Sequence, residues 1–288
     1  MKVAYYPGCS LHATGRAYDE SIRSIAGLMN LTLEEIDDWN CCGATAYMNV
    51  NEILSFALSA RNLALAAKTG LPVVSPCSAC YTNLRKTEKY LAEMPDIKRK
   101  VDEALAAGGM RYDGGVVSKH LLQVVVEDVG LDKVRALVKR PLVGLKVAPY
   151  YGCQIARPFP MEESVENPVM LDRLIEALGA VAVPYAMKTV CCGGALMGTR
   201  EEVALRLCRN LLLCAQQQSA NCIAVTCPLC QMNVDTYQGR VNETYGTSFN
   251  IPVVYFTQLM GVAFGVGAEN LGLNRCTVPA TALLPTGT

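Results

Sequence analysis

Five cysteines occur in one order twice along the 288-residue chain. The first set is Cys9, the adjacent pair Cys41 and Cys42 followed by Gly43, then Cys77 and Cys80 in C-S-A-C. The second is Cys153, the pair Cys191 and Cys192 followed by Gly193, then Cys227 and Cys230 in C-P-L-C. Between pair and C-x-x-C lie 34 residues in both copies (43–76 and 193–226), and the lone cysteine precedes its pair by 31 residues (10–40) in the first copy and 37 (154–190) in the second. Spacing kept this closely implies two halves of one local fold, each with five thiols at corresponding places.

A disulfide scaffold is normally a short secreted chain, whereas about half of these residues are apolar, enough to build a core without staples. The opening Met1-Lys2-Val3-Ala4-Tyr5-Tyr6 lacks the apolar run of a secretory signal, so the expected setting is reducing and cytoplasmic. Zinc is the stronger rival, because a structural site takes four thiolates and C-x-x-C is its commonest half. Five thiols per copy is one too many. Adjacent cysteines also project in different directions and reach one small ion only with strain, while a multi-iron cluster offers each its own corner. The residues favour iron-sulfur ligation and leave zinc or redox thiols open as alternatives. Cys208, Cys214, Cys222 and Cys276 stand outside the pattern, and Cys208 and Cys214 lie in a helix-like apolar run where free cysteine behaves as a small hydrophobe.

The 26 basic and 26 acidic residues are mixed along the chain, which argues against a nucleic-acid footprint. Residues 251–267 carry no charge, but Pro252, Thr257, Gln258 and three glycines make a buried strand-to-helix element the better reading than membrane insertion.

The repeat extends past the cysteines. Lys2 to Cys9 parallels Lys146 to Cys153, each a short apolar strand ending at a turn glycine. Helices are expected near 16–29 and 168–178, second strands at 33–39 and 181–185, long helices at 52–68 and 201–219, and buried strands at 72–76 and 222–226 that end on the C-x-x-C. The first half is expected to add helices over 96–107 and 119–138, although Val116 to Gly130 loosely echoes Val253 to Gly267. The tail after Asn270 is expected to be irregular or to pack on a partner. Strands alternating with helices imply an α/β fold of two pseudo-symmetric domains, 1–143 and 144–288, each a small mostly parallel sheet flanked by helices. Loops at the carboxyl ends of such strands, where the cysteines fall, are the usual ligand site, and helix N-termini there favour an anionic group.

These motifs, with Tyr5-Tyr6-Pro7-Gly8-Cys9-Ser10-Leu11-His12 and Asp38-Trp39-Asn40-Cys41-Cys42-Gly43-Ala44, resemble the CCG-domain proteins, most closely the B subunit of heterodisulfide reductase in its bacterial or sulfur-metabolism branches. The resemblance covers nearly the whole chain. It implies two noncubane 4Fe-4S clusters, one on Cys9, Cys41, Cys42, Cys77 and Cys80 and one on Cys153, Cys191, Cys192, Cys227 and Cys230. It further implies a cavity between the halves in which a small-molecule or protein-bound disulfide is cleaved, or formed, by one-electron steps. The implied partners are a C subunit with cubane 4Fe-4S clusters and a flavin-containing A subunit. A non-catalytic electron-transfer or scaffold subunit is the alternative.

His12, Arg16 and Arg157 follow the lone cysteines and are candidates for contact with an anionic substrate group, against the plainer reading of ordinary loop side chains. Trp39 is expected to pack over the first set and His120 to be structural. No Gly-x-Gly-x-x-Gly opens a helix and no P-loop is present, so electrons must come from elsewhere.

Overall fold

Strand β1 (Lys2–Tyr5) is buried on both faces: Val3 and Tyr5 point into one apolar core, Ala4 and the following Tyr6 into another. This is the two-residue alternation of a pleated strand with a layer on each side. In the computed structural model, which describes residues 1–44, 50–161, 164–280 and 283, the first of these cores runs on into the second half of the chain, while the second stays within the first half.

Each half builds one four-stranded parallel sheet. β1 lies between β2 (Thr32–Glu35) and β3 (Val73–Ser75), with β4 (Ser118–His120) at the edge; β5 (Lys146–Tyr150) lies between β6 (Val181–Ala182) and β7 (Cys222–Val225), with β8 (Val253–Tyr255) at the edge. Strand order and register repeat: Ala4 pairs with Val73 and Tyr5 with Val74, as Ala148 pairs with Ile223 and Pro149 with Ala224. The chain is thus an α/β protein of two pseudo-symmetric, sheet-and-helix halves.

Parallel strands need crossovers, and helices supply them. In the first half these are α1 (Arg16–Ala26), α2 (Glu52–Ala67), α3 (Ser78–Glu93), α4 (Pro95–Ala107) and α5 (Leu131–Leu137). In the second they are α6 (Met170–Ala177), α7 (Glu201–Gln217), α8 (Pro228–Thr236), α9 (Gln238–Tyr245) and α10 (Phe256–Ala263). α1 forms because Ala17, Tyr18, Ser21, Ile22 and Ile25 recur at helical spacing and bury one face. Asn51 starts α2 by accepting the Leu54 N–H at 3.0 Å, and Pro95 starts α4 at a position needing no N–H.

Three expectations need correction. Residues 119–138 are not one helix. Ser118, Lys119 and His120 pair with Val73, Val74 and Ser75 as an edge strand. His120 then caps a single helical turn, Leu121–Gln123, which widens to a π-helical stretch over Val124–Gly130 before α5. β6 stops at Ala182, short of Tyr185, because Pro184 has no N–H to continue a ladder. β2 stops at Glu35, short of Trp39, as the chain turns through Asp38 at φ 54°.

Residues 251–267 form the buried β8 and α10, and among the described residues no helix is long and apolar enough to cross a membrane. The tail packs on the chain's own surface as far as it is described. Arg275 pairs with Glu20, Ser24 donates to the Asn270 carbonyl, and the Thr277 N–H reaches Asp235 at 2.6 Å. Residues 281–282 and 284–288 of that tail lie outside the described residues. The halves are joined firmly: Tyr18 stacks on Tyr255 with centroids 4.1 Å apart and Ser21 bonds Thr257 at 2.6 Å.

Candidate metal centre

The ends of the central strands carry the cysteines to one edge of the molecule. Cys77 and Cys227 follow β3 and β7 after one residue and stand at the start of α3 and α8, while Cys9 and Cys153 follow β1 and β5 across Gly8 and Gly152. Both glycines sit at positive φ, 74° and 75°. A Cβ on Gly8 would lie 2.9 Å from the Cys80 sulfur, and one on Gly152 would lie 3.0 Å from that of Cys230. Only glycine adopts this backbone freely and leaves room for the sulfur. Gly193, at φ 78°, is pressed equally hard against Ala204 of α7.

Within each set the sulfurs lie near contact. Cys9 and Cys41 are 3.8 Å apart, Cys42 and Cys80 3.4 Å, and Cys192 and Cys230 3.7 Å. Exposure follows one plan: Cys9, Cys41 and Cys191 face solvent, Cys153 is half-buried, and Cys42, Cys77, Cys80, Cys192, Cys227 and Cys230 are buried. The two sets meet at their inner edge, where Cys77 lowers the pKa of Cys227 and is itself raised by it. A cavity of about 80 Å³ is lined by all five cysteines of the second set and by Ser78 and Ala79, the two residues between Cys77 and Cys80 of the first. No charged side chain lines it among the described residues, and no three Cys, His, Asp or Glu side chains converge there as ligands of a single ion.

Crowding splits the thiol acidities. Cys42 is held well below the ordinary value by hydrogen bonds from Cys41 and Cys80, and Cys227 by hydrogen bonds from Cys230 and Cys77. Cys191 is drawn down to about 2 by Cys153 and Cys192, while Cys192 is pushed up to about 12 by its bond to Cys191. In each adjacent pair one sulfur is thereby favoured as thiolate, the form that ligates metal. By contrast, burial pushes Cys208, Cys222 and Cys276 up to about 12, so these remain thiols.

A second layer repeats as faithfully as the cysteines and is not visible in their spacing. Tyr6 and Tyr150, each three residues before the lone cysteine, donate at 2.7 Å to the carbonyls of Asn40 and Val190, the residues just before each pair. Asn83 and Asn233, each three residues after the second cysteine of C-x-x-C, donate to the carbonyls of Cys42 and Cys192 at 2.9 and 2.8 Å. The same carbonyls take a further donor from the long helix, the Ser59 hydroxyl at 2.8 Å in one half and the Cys208 thiol at 3.4 Å in the other. Its signal in the sequence is C-x-x-C-x-x-N, which emerges once the two halves are aligned on all residues and not on cysteines alone.

At the seam, Ser78 meets Thr226 hydroxyl to hydroxyl at 3.2 Å, and His120 reaches the Thr226 carbonyl at 3.2 Å through Nε2. His120 is fully buried. Its Nδ1 accepts the Leu122 N–H, so Nε2 carries the proton and donates, and burial lowers its pKa to about 4 despite that carbonyl. Trp39 packs edge-on against Tyr6, and His12 packs edge-on against Trp39. His12 also faces Glu35 at 3.5 Å and lines a separate open depression with Asp37 and Asp38. Arg16 pairs with Glu20, and Arg157 reaches the Thr189 hydroxyl. None of these three lies on the cavity lining beside the second set.

An all-sulfur donor set arranged around a cavity, with Cys42, Cys191 and Cys227 biased toward ionisation, fits a polynuclear iron-sulfur group in ligand chemistry and placement. The cysteine-rich domain model known as CCG matches residues 3–85 and 147–235, one copy per half. The chain is 35% identical to the 8-methylmenaquinol:fumarate reductase membrane anchor subunit of Wolinella succinogenes, over 97% of this chain and 98% of that one. It is 31% identical to a protein of Archaeoglobus profundus described as like the heterodisulfide reductase B subunit, over 99% and 97%. The B subunit of the ferredoxin/F420H2-dependent CoB-CoM heterodisulfide reductase of Methanosarcina acetivorans is 28% identical, over 95% and 93%. A crystal structure of a hypothetical protein from Helicobacter pylori shares the fold, with a TM-score of 0.77 at 16% identity over 98% of this chain; the chain spans about half (52%) of that one. Paired cysteine-rich domains and full-length relatives together show that this chain belongs to the tandem CCG-domain family of the heterodisulfide reductase B subunit.

Proposed function

We propose that the chain is the disulfide-handling subunit of a heterodisulfide reductase-like complex in a reducing, cytoplasmic setting. Cys9, Cys41, Cys42, Cys77 and Cys80 would hold one noncubane 4Fe-4S cluster, and Cys153, Cys191, Cys192, Cys227 and Cys230 the other. Such clusters, when bound, supply single electrons to a disulfide, so that RSSR′, two electrons and two protons give RSH and R′SH, or the reverse. The observation that carries this reading is the cavity lined by all five cysteines of the second set, in which a ligand would lie against Ser78 and Ala79, the residues between Cys77 and Cys80 of the first. The chain's own residues shape that place. Buried Cys227 lines it, the Ser78–Thr226 contact fixes the two halves, and the Thr82 hydroxyl, bonded to the Gln154 carbonyl at 2.5 Å, pins the loop after Cys153 to α3. His12, Arg16 and Arg157, outside this cavity, would meet the anionic part of a substrate. The electron donors in this reading are a C-type subunit with cubane 4Fe-4S clusters and, behind it, a flavin-containing A-type subunit.

The test is to reduce the loaded protein anaerobically and add a small organic disulfide. Two thiols released per disulfide, with changes in both cluster spectra, support the proposal; unchanged spectra and no thiol overturn it. The similarity to a membrane anchor subunit favours a second reading, an iron-sulfur subunit that relays electrons within a membrane-associated complex without binding a disulfide. That reading predicts clusters that respond to a partner subunit and ignore the disulfide.

A further inference from the structure

The carbonyls of Cys42 and Cys192 each receive two side-chain donors in the same pseudo-symmetric arrangement, one from the long helix and one from the asparagine three residues past the C-x-x-C. Asn233 is fully buried and Asn83 nearly so. Two donors fill both lone pairs of each carbonyl, and they act on the other end of the same peptide. A trans peptide points its C=O and N–H in opposite directions. In the Cys192–Gly193 peptide the carbonyl faces Asn233 and Cys208, and the Gly193 N–H points back at the Cys191 sulfur at 3.3 Å. The next amide, Gly194 N–H, reaches the Cys192 sulfur at 3.3 Å. The first half matches in the two donors on the Cys42 carbonyl and in the positive φ of Gly43, 75° against 78° at Gly193.

We infer that Asn83 and Asn233 are positioning residues that set the reduction potential of the iron-sulfur cluster in their own half, by holding and polarising the peptide whose N–H donates to the outward-facing cysteine sulfur. The inference rests on the reading that clusters occupy both cysteine sets. A carbonyl that accepts hydrogen bonds makes the N–H of its own peptide a stronger donor. Hydrogen bonds to the ligating sulfurs are one of the factors that set a cluster's potential, because they stabilise the more negative, reduced state. The positive φ of Gly43 and Gly193 lets the chain turn so that these amides face sulfur.

The halves differ at one atom of this device. The Ser59 hydroxyl approaches the Cys42 carbonyl at 2.8 Å, whereas the Cys208 thiol stands 3.4 Å from the Cys192 carbonyl and is the weaker donor. Cys208, outside the cysteine pattern, thus occupies the place of Ser59 and leaves the second peptide less polarised.

The experiment is a potentiometric titration of the anaerobically purified holoprotein, followed by EPR, with iron and sulfide analysed in parallel. Asn233→Leu keeps the side-chain volume and removes the donor; it is expected to lower the midpoint of one cluster signal and leave the other in place. Asn83→Leu should lower the other signal. Cys208→Ser, which supplies the stronger donor, should raise the midpoint that Asn233→Leu lowers. A purely structural role would lose iron without moving midpoints in opposite directions. Should both leucine variants fail to hold iron, Cys208→Ser still decides: a raised midpoint upholds the inference and an unchanged one overturns it. Wild-type protein with full iron and variants with unmoved midpoints would overturn the inference alone, whereas wild-type protein without iron would overturn the cluster reading beneath it.

Discussion

Ser78 and Thr226 touch hydroxyl to hydroxyl at 3.2 Å across the seam, one residue after Cys77 and one residue before Cys227. The Thr226 hydroxyl also donates to the Tyr151 carbonyl at 3.0 Å, and Ser78 reaches the Thr226 carbonyl at 3.3 Å. The contact between the two cysteine sets is therefore braced by buried polar groups that bond across the seam.

Removing either hydroxyl costs its partner one of two hydrogen bonds. Thr226→Val, which also takes a donor from the Tyr151 carbonyl, is expected to cost about 1–2 kcal/mol. Ser78→Ala should cost about 1 kcal/mol, and the double variant less than the sum by about 0.5 kcal/mol or more. Denaturant unfolding of the four proteins checks this, and strict additivity would show that the two hydroxyls do not interact.

Gly8→Ala and Gly152→Ala each place a methyl group at about 3 Å from a cysteine sulfur, on backbone at positive φ. Strain of about 1–3 kcal/mol is expected from the backbone alone. Because the crowded sulfur belongs to one set only, each variant should lose about half of the bound iron. Loss of all iron from either single variant would contradict independent sets.

Tyr18 buries its ring against Tyr255 and its hydroxyl has no hydrogen-bond partner. Tyr18→Phe is therefore expected to leave stability unchanged or raise it by about 1 kcal/mol, whereas Tyr18→Ala, which empties the stack between the halves, should cost about 3–5 kcal/mol. Thermal unfolding separates the two. A destabilised Phe variant would mean that the hydroxyl is bonded.

Glu88, on α3, has its carboxyl pKa raised by burial, only partly offset by Ser118 and Arg85. The folded state thus binds this proton more tightly than the unfolded state, so the contribution is full below the unfolded value near 4.5 and is lost as pH rises through the folded value. Glu88→Gln removes that dependence. Its melting temperature relative to wild type should climb as pH is raised from about 5, and a constant difference would show that the carboxyl is not perturbed.

The sheet-and-helix frame was legible where side-chain pattern and turn glycines coincide. Lys2 to Cys9 and Lys146 to Cys153 read as strands, and 52–68 and 201–219 as helices, within a residue or two. β4 was not legible because Ser118-Lys119-His120 has no apolar run: it is a strand only by its pairing with Val73, Val74 and Ser75, a tertiary fact. The ten cysteines were found by spacing, but Asn83 and Asn233 were not, since a lone asparagine acquires meaning only when a carbonyl 41 positions earlier in the chain is seen against it. His120 read as structural; its place between Pro76 and Thr226, beside both C-x-x-C motifs, emerges only when the halves are docked.

Iron and acid-labile sulfide per chain, measured on anaerobically purified protein, test most directly the proposal that each five-cysteine set holds one iron-sulfur cluster. About eight irons and eight sulfides are expected, falling by about half when Cys42 or Cys192 alone is changed to Ser. Stoichiometric zinc, or iron without matching sulfide, would contradict it.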